Sequence, residues 1–112
     1  MRPDDYIRVL HMIEAIQTAA EFVSGRQAAN LDTDRMLLFA LVRAIEVVGE
    51  AAGKVSDELR LRVPDIPWNM IVSMRSRLIH AYFDIDRDIL WKTATIELQA
   101  LLPRLQTLIS KG

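Results

Sequence analysis

The chain has 112 residues, 51% of them apolar, no cysteine and a net charge of −1 at pH 7. That length sets the expectation of one domain, residues 1–112, with a modest core. The absence of cysteine excludes disulfides and thiolate metal sites, and the near-neutral charge argues against a protein that coats nucleic acid nonspecifically.

The opening Met1-Arg2-Pro3-Asp4-Asp5 places acids where a signal peptide needs bases. No apolar run follows that could span a bilayer, so a cytoplasmic protein with no membrane association is expected. Pro3 and the two acids suit a helix start. Tyr6, Val9, Leu10, Ile13, Ile16, Ala20 and Val23 recur at spacings of three and four and predict a first helix over about 4–23. Ser24-Gly25 ends it. A polar linker, 26–31, leads to Asp32 or Thr33, either of them a natural N-cap for the next helix.

The second helix is predicted over 34–55. Leu38, Leu41, Ile45, Val48, Ala52 and Val55 form its apolar stripe. Met36, Phe39, Ala40, Val47 and Ala51 extend that stripe nearly around the cylinder, as in a helix buried on several sides. Gly49 and Gly53 sit inside it, each costing up to about 1 kcal/mol of helix propensity relative to Ala. They suit the close approach of another helix, and Gly53 equally suits a bend. Residues 56–63 fit a short extra turn, and Pro64-Asp65-Ile66-Pro67 is a rigid break. Pro67 then suits the first turn of a third helix, predicted over 68–82 with Ile71, Val72, Leu78 and Ile79 as core. Asp84 or Asp86 caps a fourth, with the stripe Leu90, Ala94, Leu98, Leu101, Leu105 and Leu108. Pro103 within that stripe is expected to kink or shorten it. No stretch alternates in the manner of a strand. The fold class predicted is all-α, an antiparallel bundle of four to five helices.

The charge is unevenly spread. Residues 1–59 hold six bases and ten acids, residues 60–112 eight bases and five acids. Arg60, Arg62, Arg75 and Arg77 lie in the positive part and point to a local basic face. Within it Arg75-Ser76-Arg77-Leu78-Ile79-His80-Ala81-Tyr82 combines a phosphate-binding fork with one of only two histidines. On an ideal helix, residues five apart point about 140° away from each other. Arg75 and His80 can therefore share a phosphate only if the helix frays near His80, or if a two-fold dimer brings Arg75 of one copy towards His80 of the other. The second route would also use apolar surface that a 51% apolar content leaves over for a second copy. Ser76, four residues before His80, would face it on a helix and could orient the imidazole. The same residues have plainer readings. His80 suits the negative end of a helix dipole, Tyr82-Phe83 suits a core plug, and Arg75 could pair with Asp84 or Asp86. Arg43, Glu46, Glu50 and Lys54 make one polar stripe on the second helix. They read either as a solvated edge, with Arg43–Glu46 and Glu50–Lys54 pairs, or as a site where Glu46 or Glu50 positions Arg75 or His80. Trp68 and Trp91 read as core or interface anchors, and His11 as structural.

Three segments in this order and spacing go further: Arg43-Ala44-Ile45-Glu46-Val47-Val48-Gly49-Glu50-Ala51-Ala52, Pro64-Asp65-Ile66-Pro67-Trp68, and Met74 to Asp86, followed by Leu90-Trp91 and Leu102-Pro103. Over nearly the whole chain they resemble the HepT-like toxins of the HEPN superfamily. The resemblance implies a HEPN-like two-fold homodimer acting as a metal-independent endoribonuclease on an RNA substrate, with no cofactor and the Arg-x4-His motifs of both copies in one cleft. It implies Arg75 and His80 as the catalytic pair. It also implies the toxin half of a toxin–antitoxin pair, whose partner is an MntA-type nucleotidyltransferase antitoxin. In some such pairs the antitoxin attaches AMP to the tyrosine of the motif, here Tyr82. Ser76 departs from the Asn, or other strongly polar residue, usual after the motif arginine. The alternative is a non-catalytic helical dimer that binds a nucleotidyltransferase partner.

Overall fold

The computed structural model describes residues 1–81 and 84–111, for 80 and 81 the backbone alone. Helix α1 (Pro3–Val23) starts as its composition dictates. Pro3 sits in the first turn, where its missing N–H is no loss, and Asp4 and Asp5 lie at the positive end of the dipole. Gly25, with φ 72°, takes the left-handed conformation that turns the chain after the helix. A 3-10 turn (Ala28–Asp32) follows. It absorbs Asp32, so neither Asp32 nor Thr33 caps the next helix. Asp34 does, accepting a bond from the Leu37 N–H at 3.0 Å and one from Arg26 Nη2 at 2.6 Å.

Helix α2 (Arg35–Gly53) is the centre of the bundle, with α1 packed along one flank and helix α4 (Trp68–Leu78) along the other. Its predicted stripe is buried in full. The expected all-round burial is not met: Met36 is 84% exposed and Phe39 50% exposed. Two neighbouring helices cover two flanks of a cylinder, and the third side of α2 stays open. Gly49 is where α4 comes closest. A Cβ there would meet the backbone oxygens of Ile71 at 3.4 Å and Val72 at 3.6 Å.

The short α3 (Asp57–Arg62) is capped by Ser56, whose Oγ accepts from the Leu59 N–H at 3.2 Å. Ser56 in turn fastens this corner to α1, its hydroxyl donating to Asp5 Oδ2 at 2.6 Å and its N–H to Asp5 Oδ1 at 2.9 Å. Trp68 is buried and donates its indole N–H to the Val63 carbonyl at 3.0 Å, as befits a core anchor.

The third helix does not reach residue 82. It stops at Leu78, and Ile79 is already extended at φ −112°, ψ 108°. Strands β1 (Ile79–Ala81) and β2 (Asp84–Ile85) then pair antiparallel, Ile79 opposite Ile85. This corrects the expectation of no strand, although the class remains all-α. Two β-branched residues in register suit extended backbone, and the Leu78 carbonyl is taken by the Asp86 N–H at 2.8 Å rather than by a further helical turn. Asp86 caps α5 (Arg87–Lys92) through the Ile89 N–H at 3.0 Å. A π-helical turn (Thr93–Glu97) joins α5 to α6 (Leu98–Lys111). Pro103 lies inside α6 and does not shorten it. Leu98, Leu101 and Leu105 hold that helix on the core. Gln99 clamps it to α1 by donating from Nε2 to the Ile16 carbonyl at 3.1 Å. Among the described residues no helix is long and apolar enough to cross a membrane.

Candidate active site

Arg75 lies in the last turn of α4, against α2. Its Nε donates to Glu46 Oε2 at 2.6 Å. The carboxylate is the more enclosed partner, 23% exposed against 58% for the guanidinium. Arg75 thus pairs with neither Asp84 nor Asp86. Among the described residues nothing bonds its two terminal nitrogens, so the outer fork of the guanidinium is open. A carboxylate on Nε of a planar guanidinium fixes the direction of that fork, and a fork so held suits two oxygens of one phosphate.

The floor of the site comes from α2. Glu46, Gly49, Glu50 and Gly53 face Val72 and Arg75 across a groove of about 320 Å³. Gly49 has no side chain to hold α4 away, so the Arg75 side chain can reach Glu46 across the contact. Glu50 accepts from Arg43 Nη1 at 3.2 Å, both side chains being exposed. The polar stripe on α2 therefore does not pair as Arg43–Glu46 and Glu50–Lys54. It joins Arg43 to Glu50 two turns on, and Glu46 is left for α4.

The end of α4 changes what Arg75 and His80 can do together. The 140° separation applied to a continuous helix. The backbone of His80 lies instead in β1, where the pairing register shifts between Ile79 and Ala81. Such irregularities occur often beside active sites. The expectation that Ser76 faces His80 through a helical turn is overturned with it. The Ser76 hydroxyl donates to the Ser73 carbonyl at 2.7 Å, within α4. The side chain of His80 and the whole of Tyr82 lie outside the described residues.

A second link at the end of α4 is not apparent in the sequence. Both terminal nitrogens of Arg77 lie 3.5 Å from Glu97 Oε1. The other oxygen of Glu97 accepts from the hydroxyl of Thr93, a fully buried residue, at 3.1 Å. Arg77 and Glu97 are 20 residues apart and meet only because the π-helical turn passes the last turn of α4. Arg60 reaches the Ala52 carbonyl at 2.9 Å, close to the C-terminus of α2. Arg60, Arg75 and Arg77 are thus each held by a separate partner. Among the described residues no group of three His, Cys, Asp or Glu side chains is arranged to hold a metal ion.

A family model described as Ribonuclease HepT-like matches residues 12–108. "Probable ribonuclease HepT" of Thermococcus cleftensis is 34% identical over 104 residues, covering 93% of this chain and 93% of the relative. "Putative RNase MJ1380" of Methanocaldococcus jannaschii is 33% identical over 81 residues, 72% of this chain and 74% of the relative. "Putative RNase TTE0752" of Caldanaerobacter subterraneus is 31% identical over 101 residues, 90% of each chain. No solved structure matches the chain.

Proposed function

Because the chain belongs to the HepT-like ribonuclease family, we propose that it is an endoribonuclease that cleaves RNA with its own Arg75 and His80. The observation that carries this reading is the Glu46–Arg75 contact, which leaves an oriented and open guanidinium fork at the edge of a groove. His80 acts as general base on a ribose 2′-hydroxyl. The freed oxygen attacks the neighbouring phosphorus, and the bond to the 5′-oxygen breaks. That leaving oxygen takes a proton from a general acid, the second copy of His80 in a two-fold dimer. The products are a 2′,3′-cyclic phosphate and a 5′-hydroxyl. Arg75 stabilises the charge that builds on the phosphoryl oxygens. No step draws on a metal or a cofactor. Glu46 positions Arg75, and Glu50, held by Arg43, borders the same groove. Ser76, whose hydroxyl is bonded to the Ser73 carbonyl within α4, supports the site from beside Arg75.

We further propose that the protein is the toxin of a toxin–antitoxin pair in the cytoplasm. Its partner is an MntA-type nucleotidyltransferase that neutralises it, with Tyr82 as the residue to which AMP is attached. The activity is tested with purified protein and single-stranded RNA. The wild type should generate cyclic-phosphate ends, and Arg75→Ala and His80→Ala should each lose about 10²–10⁴-fold in rate. A pure, folded wild type that cuts no RNA would instead favour a non-catalytic helical dimer that docks the nucleotidyltransferase.

A further inference from the structure

A second groove, on the opposite flank of α2, has no part in the chemistry above. It runs between α1 and α2 and measures about 440 Å³, within the range of about 300–1,000 Å³ usual for small-molecule sites. It exists because the facing residues are small: Ala15 on α1, Ala40 and Ala44 on α2. We propose that this groove is a nucleobase subsite, receiving one base of the RNA strand a nucleotide or two from the cut. The inference rests on the ribonuclease reading and adds the path of the substrate.

The chemistry of the groove fits a flat heteroaromatic ring. Its walls are apolar, and Phe22, 39% exposed, stands at its rim. Its polar residues, His11, Glu14, Thr18 and Arg43, offer donors and acceptors to the edge of a base. The Glu14 carboxylate disfavours a phosphate inside, so the groove admits the base and leaves the backbone on the ridge. Its position is the second support. Arg43 lines this groove, and the same side chain bonds Glu50, which lines the groove of Arg75. Arg43 and Glu46 are three residues apart, a rise of about 4.5 Å along α2, and a helix with its side chains is only about 10–12 Å across. A strand whose phosphate meets Arg75 on one flank has to cross this ridge, past the Arg43 guanidinium, to place a neighbouring base on the other.

The test fills the groove without touching Arg75, Glu46 or His80. Binding of a fluorescein-labelled single-stranded RNA is measured by anisotropy for His80→Ala, whose slowed cleavage keeps the RNA intact during the measurement, and for the same chain with Ala40→Leu. Light scattering and circular dichroism are recorded beside it. We expect Ala40→Leu to weaken binding about 5- to 100-fold, the range for loss of one base contact, with fold and oligomeric state unchanged. An RNA carrying one abasic nucleotide, moved along the strand, should reproduce that loss at one position and be insensitive to Ala40→Leu. Phe22→Ala, at an exposed position, gives the same readout should Ala40→Leu fail to fold. Unchanged binding overturns the subsite. So does weakened binding accompanied by a change in oligomeric state, which would make the groove a contact between copies of the chain. Wild-type protein that cuts no RNA refutes the ribonuclease reading. Wild-type protein that cuts, together with an Ala40→Leu variant of unchanged KM, refutes the subsite alone.

Discussion

Glu46 and Arg75 are 29 residues apart and meet at 2.6 Å, carboxylate oxygen to guanidinium Nε. The pair joins the middle of α2 to the last turn of α4. It occupies the one nitrogen of Arg75 that is least useful for gripping a phosphate from outside, and among the described residues it leaves the terminal two open.

If the pair sets the direction of the fork, removing the carboxylate should harm catalysis more than stability. Glu46→Gln is expected to lower RNA cleavage about 10- to 100-fold, the scale of a small misplacement of a reacting group. Its urea midpoint should move little, because the pair is partly exposed and such pairs contribute about 0–1 kcal/mol. Arg75→Lys should not restore activity, since an ammonium cannot both accept this geometry and present a planar fork. Cleavage kinetics and urea unfolding on the same samples check both statements. A Glu46→Gln enzyme as fast as wild type would remove Glu46 from the site.

Gly49 allows the contact to form. A methyl at this position would lie 3.4 Å from the Ile71 carbonyl oxygen, at the inner edge of ordinary contact. Gly49→Ala should therefore be accommodated, with a gain in stability of up to about 1 kcal/mol from helix propensity. Gly49→Leu should push α4 away and destabilise by about 1–3 kcal/mol. It should also lose cleavage, because Arg75 would no longer reach Glu46. Thermal unfolding and cleavage assays on the two variants separate these outcomes.

Asp5 predicts a pH dependence. Burial by itself would push its carboxyl up, but the side-chain and backbone hydrogen bonds from Ser56, helped by Arg2 and the N-terminal ammonium, hold it below its ordinary value. A carboxyl lowered on folding contributes stability that is fully present above its unfolded value, about 3.9. That contribution is lost as pH falls through the still lower folded value. Asp5→Asn should cost about 1.5–3 kcal/mol at pH 7, the range for hydrogen bonds to a charged group. The difference from wild type should shrink towards pH 3. Urea titrations at pH 7, 5 and 3 measure it, and a difference that stays constant across that range contradicts the assignment.

The proposed control by a nucleotidyltransferase is read by mass. Co-expression with a cognate nucleotidyltransferase should raise the intact mass in steps of one AMP, and Tyr82→Phe should abolish the increase. The added phosphodiester carries about one negative charge and would compete with RNA for the Arg75 fork. Modified protein should therefore be folded and inactive. An increase that persists in Tyr82→Phe places the modification elsewhere.

Although Tyr6, Leu10 and Val72, read as stripe or core, are exposed, the sequence by itself determined the helical class, most of the helix starts and most of the apolar stripes. These depend on contacts within a few residues, which period, caps and proline position record directly. Pro3, Ser56 and Asp86 stand where local chemistry puts them. It also offered Glu46 or Glu50 as a positioning residue, as one of two readings of a polar stripe. Local pattern could not choose between them, because the choice depends on whether α4 passes Gly49. Only the tertiary structure decided that Arg75 meets Glu46 and that α4 stops at Leu78. It alone brought Arg77 to Glu97 on the π-helical turn and left Met36 and Phe39 uncovered. The end of α4 is set by the pairing of Ile79 with Ile85 and of the Asp86 N–H with the Leu78 carbonyl. The other three outcomes are set by which helix flank lies against which other flank, a relation between residues far apart in the chain that no local period encodes.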